Sequence, residues 1–316
     1  MPSRILKHLA TAMLVAALVL ATGGCSKKSS NGPNGPTTNS WSAMTSGSAV
    51  SLPAIWGSSG SDVFAVGNSG TILHYNGTAW SAMTSGSTTF FQGGWGASGS
   101  DVFAVGYGAT GTILHYNGTT WSDMTPGTIA NVICVWGSLG SDVFAAGYSG
   151  TILHYNGTAW SAMTSGTTVE LSGVWGSSGS DVFVVGGGGT ILHYNGTTWS
   201  AMTSGTTALL KCVWGTSGSN VFAAGDNGTI LHYNGTAWSA MTSGSTASLP
   251  GIWGSSGSDV FAVGYAGYDG TILHYDGTTW SAMYSSYHAY LYGVWGTSGS
   301  DVFVSGGVGT ILHYGP

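Results

Sequence analysis

Apolar and polar positions recur in one fixed order along most of the chain, and residues 171–202 show that order in full. Leu171–Trp175 is a short apolar run, and 176–180 is a Gly/Ser turn. Asp181–Val185 is rich in β-branched and aromatic residues, and Gly186–Gly189 follows as a second turn. Thr190–Tyr194, the pair Asn195-Gly196 and Thr198–Met202 complete the unit. Runs of about five such residues between Gly, Ser and Asn predict strands. Asn-Gly predicts a hairpin, because type I′ turns need positive φ. Four antiparallel strands, a to d, fill the unit and leave little room for helices.

The same unit returns every 39 residues, stretched to 41 or 42 where a loop is longer. A Trp-Gly pair marks strand a at Trp56, Trp95, Trp136, Trp175, Trp214, Trp253 and Trp295. A period in this range with four short strands per unit predicts propeller blades. The array opens at Trp41 with a strand d that has no a, b or c before it. It closes at Tyr314 with a strand c that has no d after it. The orphan d therefore completes the last blade. The fold class is all-β: a seven-bladed propeller of four-stranded antiparallel blades over residues 41–316, its ring closed by the N-terminal strand at about 41–45. Closure removes the open edge that a linear stack would present.

Composition adds exclusions. Gly is abundant, at 55 of 316 residues, but 14 Trp, 15 Tyr and 9 Phe give a burial capacity that disordered chains lack. The formal charge is −6, and beyond residue 40 Lys211 is the only Lys or Arg. That excludes nucleic acid, whose phosphates need cations. Cys134 and Cys212 are equivalent positions two blades apart. They exceed the roughly 7 Å Cα limit of a disulfide and read as small buried apolar residues.

Residues 1–24 read as a secretion signal, with Arg4 and Lys7 ahead of an apolar run from Leu9 to Ala21. The run is short for a membrane span. Its end, Leu20-Ala-Thr-Gly-Gly-Cys25, resembles a bacterial lipoprotein signal, which implies lipidation of Cys25. Residues 25–40 then form a flexible polar tether. On this resemblance the chain sits in the cell envelope, on the outer membrane, held by its lipid alone.

The fragment 181–202, DVFVVGGGGTILHYNGTTWSAM, resembles a shortened kelch-type blade and also Asp-box and tectonin-like repeats of bacterial surface proteins. The resemblance covers residues 41–314 and implies propeller architecture. The repeats depart from the sialidase box and contain no Arg, so the sialidase Arg cluster is absent.

Most repeated residues read as scaffold. The Asp before strand b (Asp62 and its counterparts, Asn220 in the fifth unit) reads as an acceptor for backbone N–H groups of its own turn. The seven His before Tyr, one per blade, are too dispersed for a metal site and read as bonded to a neighbouring strand. The Asn-Gly-Thr triplets read as hairpin turns. Neither a cofactor nor a metal is expected.

Variation within the array gathers in the d–a connection with the start of strand a and in the b–c connection, which share one end of an up-and-down blade. The a–b turn shows only minor changes, at Ala97, Leu139, Thr216 and Thr297. Binding concentrates on loops held by a rigid scaffold. The candidate ligand-binding residues are Phe90, Phe91, Gln92, Tyr107 and Asn131 in the second and third units. Glu170, Lys211 and Asp226 follow, then Tyr268, Tyr287, His288, Tyr290 and Tyr292. Relaxed drift of surface loops is the alternative. The leading expectation is a monomeric, non-catalytic module presenting this face to a glycan. A protein-interaction scaffold is the alternative. A glycosidase or lyase is a third reading, since Glu170, Asp226 and Asp269 offer carboxylates without a spacing that selects a pair.

Overall fold

The computed structural model describes residues 39–108, 110–127, 129–286 and 289–316. The signal segment, Cys25 and nearly all of the tether lie outside the described residues, as do Tyr287 and His288. Seven four-stranded antiparallel sheets form the blades. Blade 4 is typical, with strands Leu171–Ser178, Asp181–Gly186, Ile191–Tyr194 and Trp199–Met202 in sequential order. The N-terminal strand Ser40–Ala43 pairs with Ile311–Gly315, Trp41 opposite Tyr314, and so completes blade 7. The closure expected from the orphan strands is the observed one.

Strand a of every blade lines the central channel, and strand d lies at the rim. Alternation places a buried Phe of strand b between adjacent blades. Phe183 lies 4.5 Å from His193 of its own blade and edge-on to Trp238 of the next. With Val213, Val221 and Leu231 it forms one of the inter-blade cores. The core is therefore a ring of seven interfaces, each built by the same residue types.

Small residues at the channel wall set how closely the blades approach. The position is Gly in four blades, Ala54 in blade 1, and Cys134 and Cys212 in blades 3 and 5. A Cβ on Gly93, Gly173 or Gly251 would lie 2.8–3.1 Å from the Val opposite it on strand b. Where strand a carries Cys134 or Cys212, the opposite residue is Ala146 or Ala224. Volume is conserved across the pair. Both thiols are free, and burial pushes each up to about 12. Cys134 is buried as expected, Cys212 is half-buried at the channel wall, and the raised values leave little thiolate at neutral pH.

A double-mutant cycle tests this compensation. Cys134→Gly alone is expected to cost about 1–3 kcal/mol through lost burial and backbone freedom. Ala146→Val alone overpacks, at a similar cost. The pair together recreates Gly93 opposite Val105, and chemical denaturation is expected to show most of the stability recovered.

One expectation is corrected. The Asp before strand b does not cap its own turn. Asp62 accepts from His74 Nε2 at 2.6 Å through Oδ1 and from the Ser58 hydroxyl through Oδ2. The b–c register, with Phe64 opposite His74, brings the imidazole to the carboxylate. The His is thus bonded to the neighbouring strand, as expected. The carboxylate also abuts the next blade, since a Cβ on Gly99 would lie 1.9 Å from Asp62 Oδ2. In a hydrolytic triad His stands between Ser and Asp. Here Asp stands between the other two, an arrangement that holds a turn and activates no hydroxyl.

Blade 5 lacks the carboxylate. His232 Nε2 meets Asn220 Oδ1 at 2.7 Å, and burial holds this imidazole below its ordinary value of 6.5. Its neutral form therefore stabilises the fold fully above pH 6.5. That contribution is lost as pH falls through 6.5 toward the lowered folded value. Asn220→Asp is expected to abolish this loss, read as a smaller drop in Tm between about pH 7.5 and about pH 5.5.

Candidate functional site

The d–a and b–c connections share one face, as expected. Backbone bonds tie them together: Gly187 N–H donates to Glu170 O at 2.9 Å, and Gly70 N–H to Thr89 O at 2.7 Å. Gly189 shows why these turns hold Gly. Its φ is +73°, and a Cβ there would lie 2.0 Å from Thr206 O. On the opposite face Asn195 Oδ1 accepts the N–H groups of Thr197 and Thr198 at 3.0 Å, fixing the c–d hairpin.

Five blades close the b–c connection with a compact turn. Blades 2 and 6 do not. Their strands run on through Tyr107 opposite Gly111, and through Tyr265 opposite Gly270 and Ala266 opposite Asp269. These longer hairpins stand roughly across the channel mouth from each other, and both carry aromatics. Phe90 stacks on Tyr107 with centroids 5.8 Å apart, and Tyr107 meets Tyr148 of blade 3 edge-on at 6.3 Å. Tyr290 and Tyr292 of blade 7 are parallel within 2° at 6.3 Å. Tyr265 stands perpendicular to both, at 4.9 and 5.8 Å. Tyr268 is 70% exposed on the same hairpin and meets Tyr290 at 6.1 Å.

Between these walls lies a cavity of about 260 Å³ at the channel mouth. Its lining includes Gln92, Glu170, Ser172, Lys211, Tyr265 and Tyr292. Lys211 Nζ lies 3.0 Å from Asp226 Oδ1, which also accepts the Ser248 hydroxyl at 2.6 Å. The Ser172 hydroxyl donates to Glu170 Oε1 at 2.9 Å. Burial raises the Tyr148 phenol above its usual range, and Glu170 adds to the shift. Tyr292 is raised as well, by burial first and then by Tyr265. Among the described residues no three His, Cys, Asp or Glu side chains group to hold a metal.

The structure therefore brings Gln92, Glu170, Lys211, Asp226, Tyr268, Tyr290 and Tyr292 to the mouth or its walls. Phe90 and Tyr107 form the opposite wall, beside Asn131, whose carbonyl accepts the Tyr148 N–H at 2.9 Å. Phe91 is a correction. It is 0% exposed and packs with Val66, Ile72, Ala104 and Leu114. Successive strand residues face opposite ways, so Phe90 and Phe91 cannot share a surface. Sequence reasoning placed Tyr148 and Tyr265 on the varied b–c turns without counting them as site residues, and it missed Ser172. The signal for Ser172 was its register: it is the blade-4 counterpart of Gln92 and Lys211, at a position that holds six residue types in seven units.

Val308 shows this face under strain. Its φ is +53°, at a turn position that holds Ser, Gly or Asn in four other blades, and it is 75% exposed. A β-branched residue in the left-handed region costs about 1–2 kcal/mol.

No family model matches the chain, and no curated protein matches it in sequence. Solved structures do match in fold. YCF48 bound to D1 peptide aligns at TM-score 0.71 and 17% identity, over 89% of this chain and 98% of that one. YCF48 from Cyanidioschyzon merolae aligns at 0.69 and 17% identity, over 87% and 99%. The WD40 propeller domain of Doa1 aligns at 0.73 and 12% identity, over 88% and 97%. At these identities the likeness is one of fold: this chain is similar to them as a β-propeller.

Proposed function

We propose that the chain is a non-catalytic interaction module that takes an extended segment of a protein partner across its varied face. The observation carrying this reading is the concentration of difference. Near-identical units differ where two aromatic-walled hairpins flank a polar channel mouth, and the opposite face repeats its Ser and Gly turns. A structural neighbour with a bound peptide supports a polypeptide ligand over a glycan. The rest of the proposal is a kelch- or tectonin-like envelope lipoprotein anchored through Cys25. The N-terminal strand enters beside the c–d turns, Ser40 opposite Gly315, so a tether joins the face opposite the mouth.

Partner capture from cell envelopes with defined variants tests the reading. Tyr290→Ala and Tyr292→Ala are expected to lower recovery of a specific crosslinked partner at least about tenfold, the scale of a central contact. Leu139→Ser, on the opposite face and 63% exposed in the native protein, is expected to leave recovery unchanged. Equal recovery by all three overturns the assignment. A glycan array is expected to be silent. A hit lost in Tyr290→Ala would replace the polypeptide with a carbohydrate.

A further inference from the structure

We infer that the partner segment is basic, and that a Lys or Arg side chain of it seats at the channel mouth against the tyrosine wall of blades 6 and 7. This rests on the reading of the varied face as a protein-binding one, and narrows its ligand.

Charge is the first argument. The chain has 11 carboxylates, all beyond residue 40, and Lys211 is the only Lys or Arg there. Six of the Asp, from Asp62 to Asp301, are engaged by His on the opposite face. On the varied face Lys211 is held by Asp226 at 3.0 Å. Glu170 and Asp269 are not offset by any Lys or Arg among the described residues. Glu170 is bonded to the Ser172 hydroxyl at 2.9 Å, which polarises the carboxylate without neutralising it.

Ring geometry is the second argument. Tyr265 stands perpendicular to both Tyr290 and Tyr292. Aromatic faces carry negative charge density and attract an ammonium or guanidinium within about 6 Å. Tyr265 and Tyr292 line the same cavity as Glu170. A cation entering there meets ring surface and the Glu170 carboxylate together, while Lys211 of the same lining is neutralised by Asp226 at 3.0 Å. At about 260 Å³ the cavity lies below the roughly 300–1,000 Å³ of a small-molecule pocket. It accepts one side chain of a longer segment, whose flanks run over the Phe90–Tyr107 wall. An acidic segment would meet like charge in the same place, which supplies selectivity as well as attraction.

The test titrates the whole protein with three peptides of about ten residues, alike except that they carry Lys and Arg, Gln, or Glu at alternate positions. The basic peptide is expected to bind at least about tenfold more tightly than the Gln peptide, and the Glu peptide not at all. Its affinity is expected to fall several-fold between about 50 and about 300 mM salt. Glu170→Gln and Tyr265→Leu are each expected to weaken it about fivefold, with circular dichroism and Tm unchanged. Equal binding of the Gln peptide overturns the inference. So does insensitivity to salt and to Glu170→Gln, and so does binding of none of the three. The two readings fail separately. If the peptide test fails and capture still depends on Tyr290 and Tyr292, the partner is a protein of other chemistry. If capture ignores the face, the broader reading is lost.

Discussion

Deleting residues 39–46 is expected to abolish cooperative folding, although it removes only the edge strand of one blade. Trp41 packs on Tyr314 at 5.1 Å and on Tyr284 at 6.3 Å. Met44 joins the core between blades 7 and 1, and its N–H donates to Ile311 O at 2.9 Å. The Ser46 hydroxyl donates to Gly309 O at 2.6 Å. Trp41 is half-buried, so its loss alone costs somewhat less than the about 3–5 kcal/mol of a core Trp. Each lost hydrogen bond adds about 0.5–1.5 kcal/mol. The sum is comparable with the about 5–15 kcal/mol that holds a typical domain together. The deletion also bares Ile311–Gly315 as an edge, which invites pairing between molecules. The expected product aggregates, or melts broadly with a Tm lower by more than about 10 °C. Moving the strand is the control. With Asn-Gly-Thr-Thr replacing Gly315-Pro316 and Trp41–Gly47 following it, blade 7 regains the order of blade 4. Native melting is expected to return. A deletion variant that melts like the native chain would show that the ring does not depend on this closure.

The blades were legible in the sequence because the same physical constraint is written seven times. Strand b must alternate a core Phe with β-branched residues, and the c–d hairpin must hold Gly at positive φ, as Gly196 does at +86°. Ring closure was legible for a different reason: an orphan strand d at one end and a missing one at the other admit one solution. The Asp–His pair was half legible. Two residues twelve apart in sequence meet only through the b–c register, and composition does not show that one satisfies the other. The mouth was less legible still. Variation marked the face, and Gln92 and Lys211 stood out as unusual letters. Ser172 did not, because a Ser in a Ser-rich chain carries no visible signal until strand a places it in the lining. Tyr265 became a wall residue only when blade 6 was seen to extend its hairpin.

Phe90 and Phe91 are expected to divide stability from binding, one residue apart. Phe91 sits where the other blades hold Leu52, Val132, Leu171, Leu210, Leu249 and Leu291, all fully buried. Comparison of the units at this position identifies it as a core site that blade 2 fills with a larger side chain. Phe91→Ala is expected to cost about 3–5 kcal/mol, since Val66, Ile72 and Leu114 cannot close over the void. Phe91→Leu restores the residue of the other blades and is expected to recover more than half of that loss. Phe90 is 43% exposed and touches Tyr107 on the outer side of the same strand. Phe90→Ala is expected to cost less than about 1 kcal/mol, the stacking contribution of an exposed pair. Its effect falls on the face: capture of the partner is expected to drop several-fold with an unchanged melting curve. Chemical denaturation and capture on the two variants decide the matter together. If Phe90→Ala destabilised the fold as much as Phe91→Ala, the aromatic wall of blade 2 would be part of the core. If it left capture untouched, binding would rest on the tyrosine wall of blades 6 and 7 and on the mouth alone.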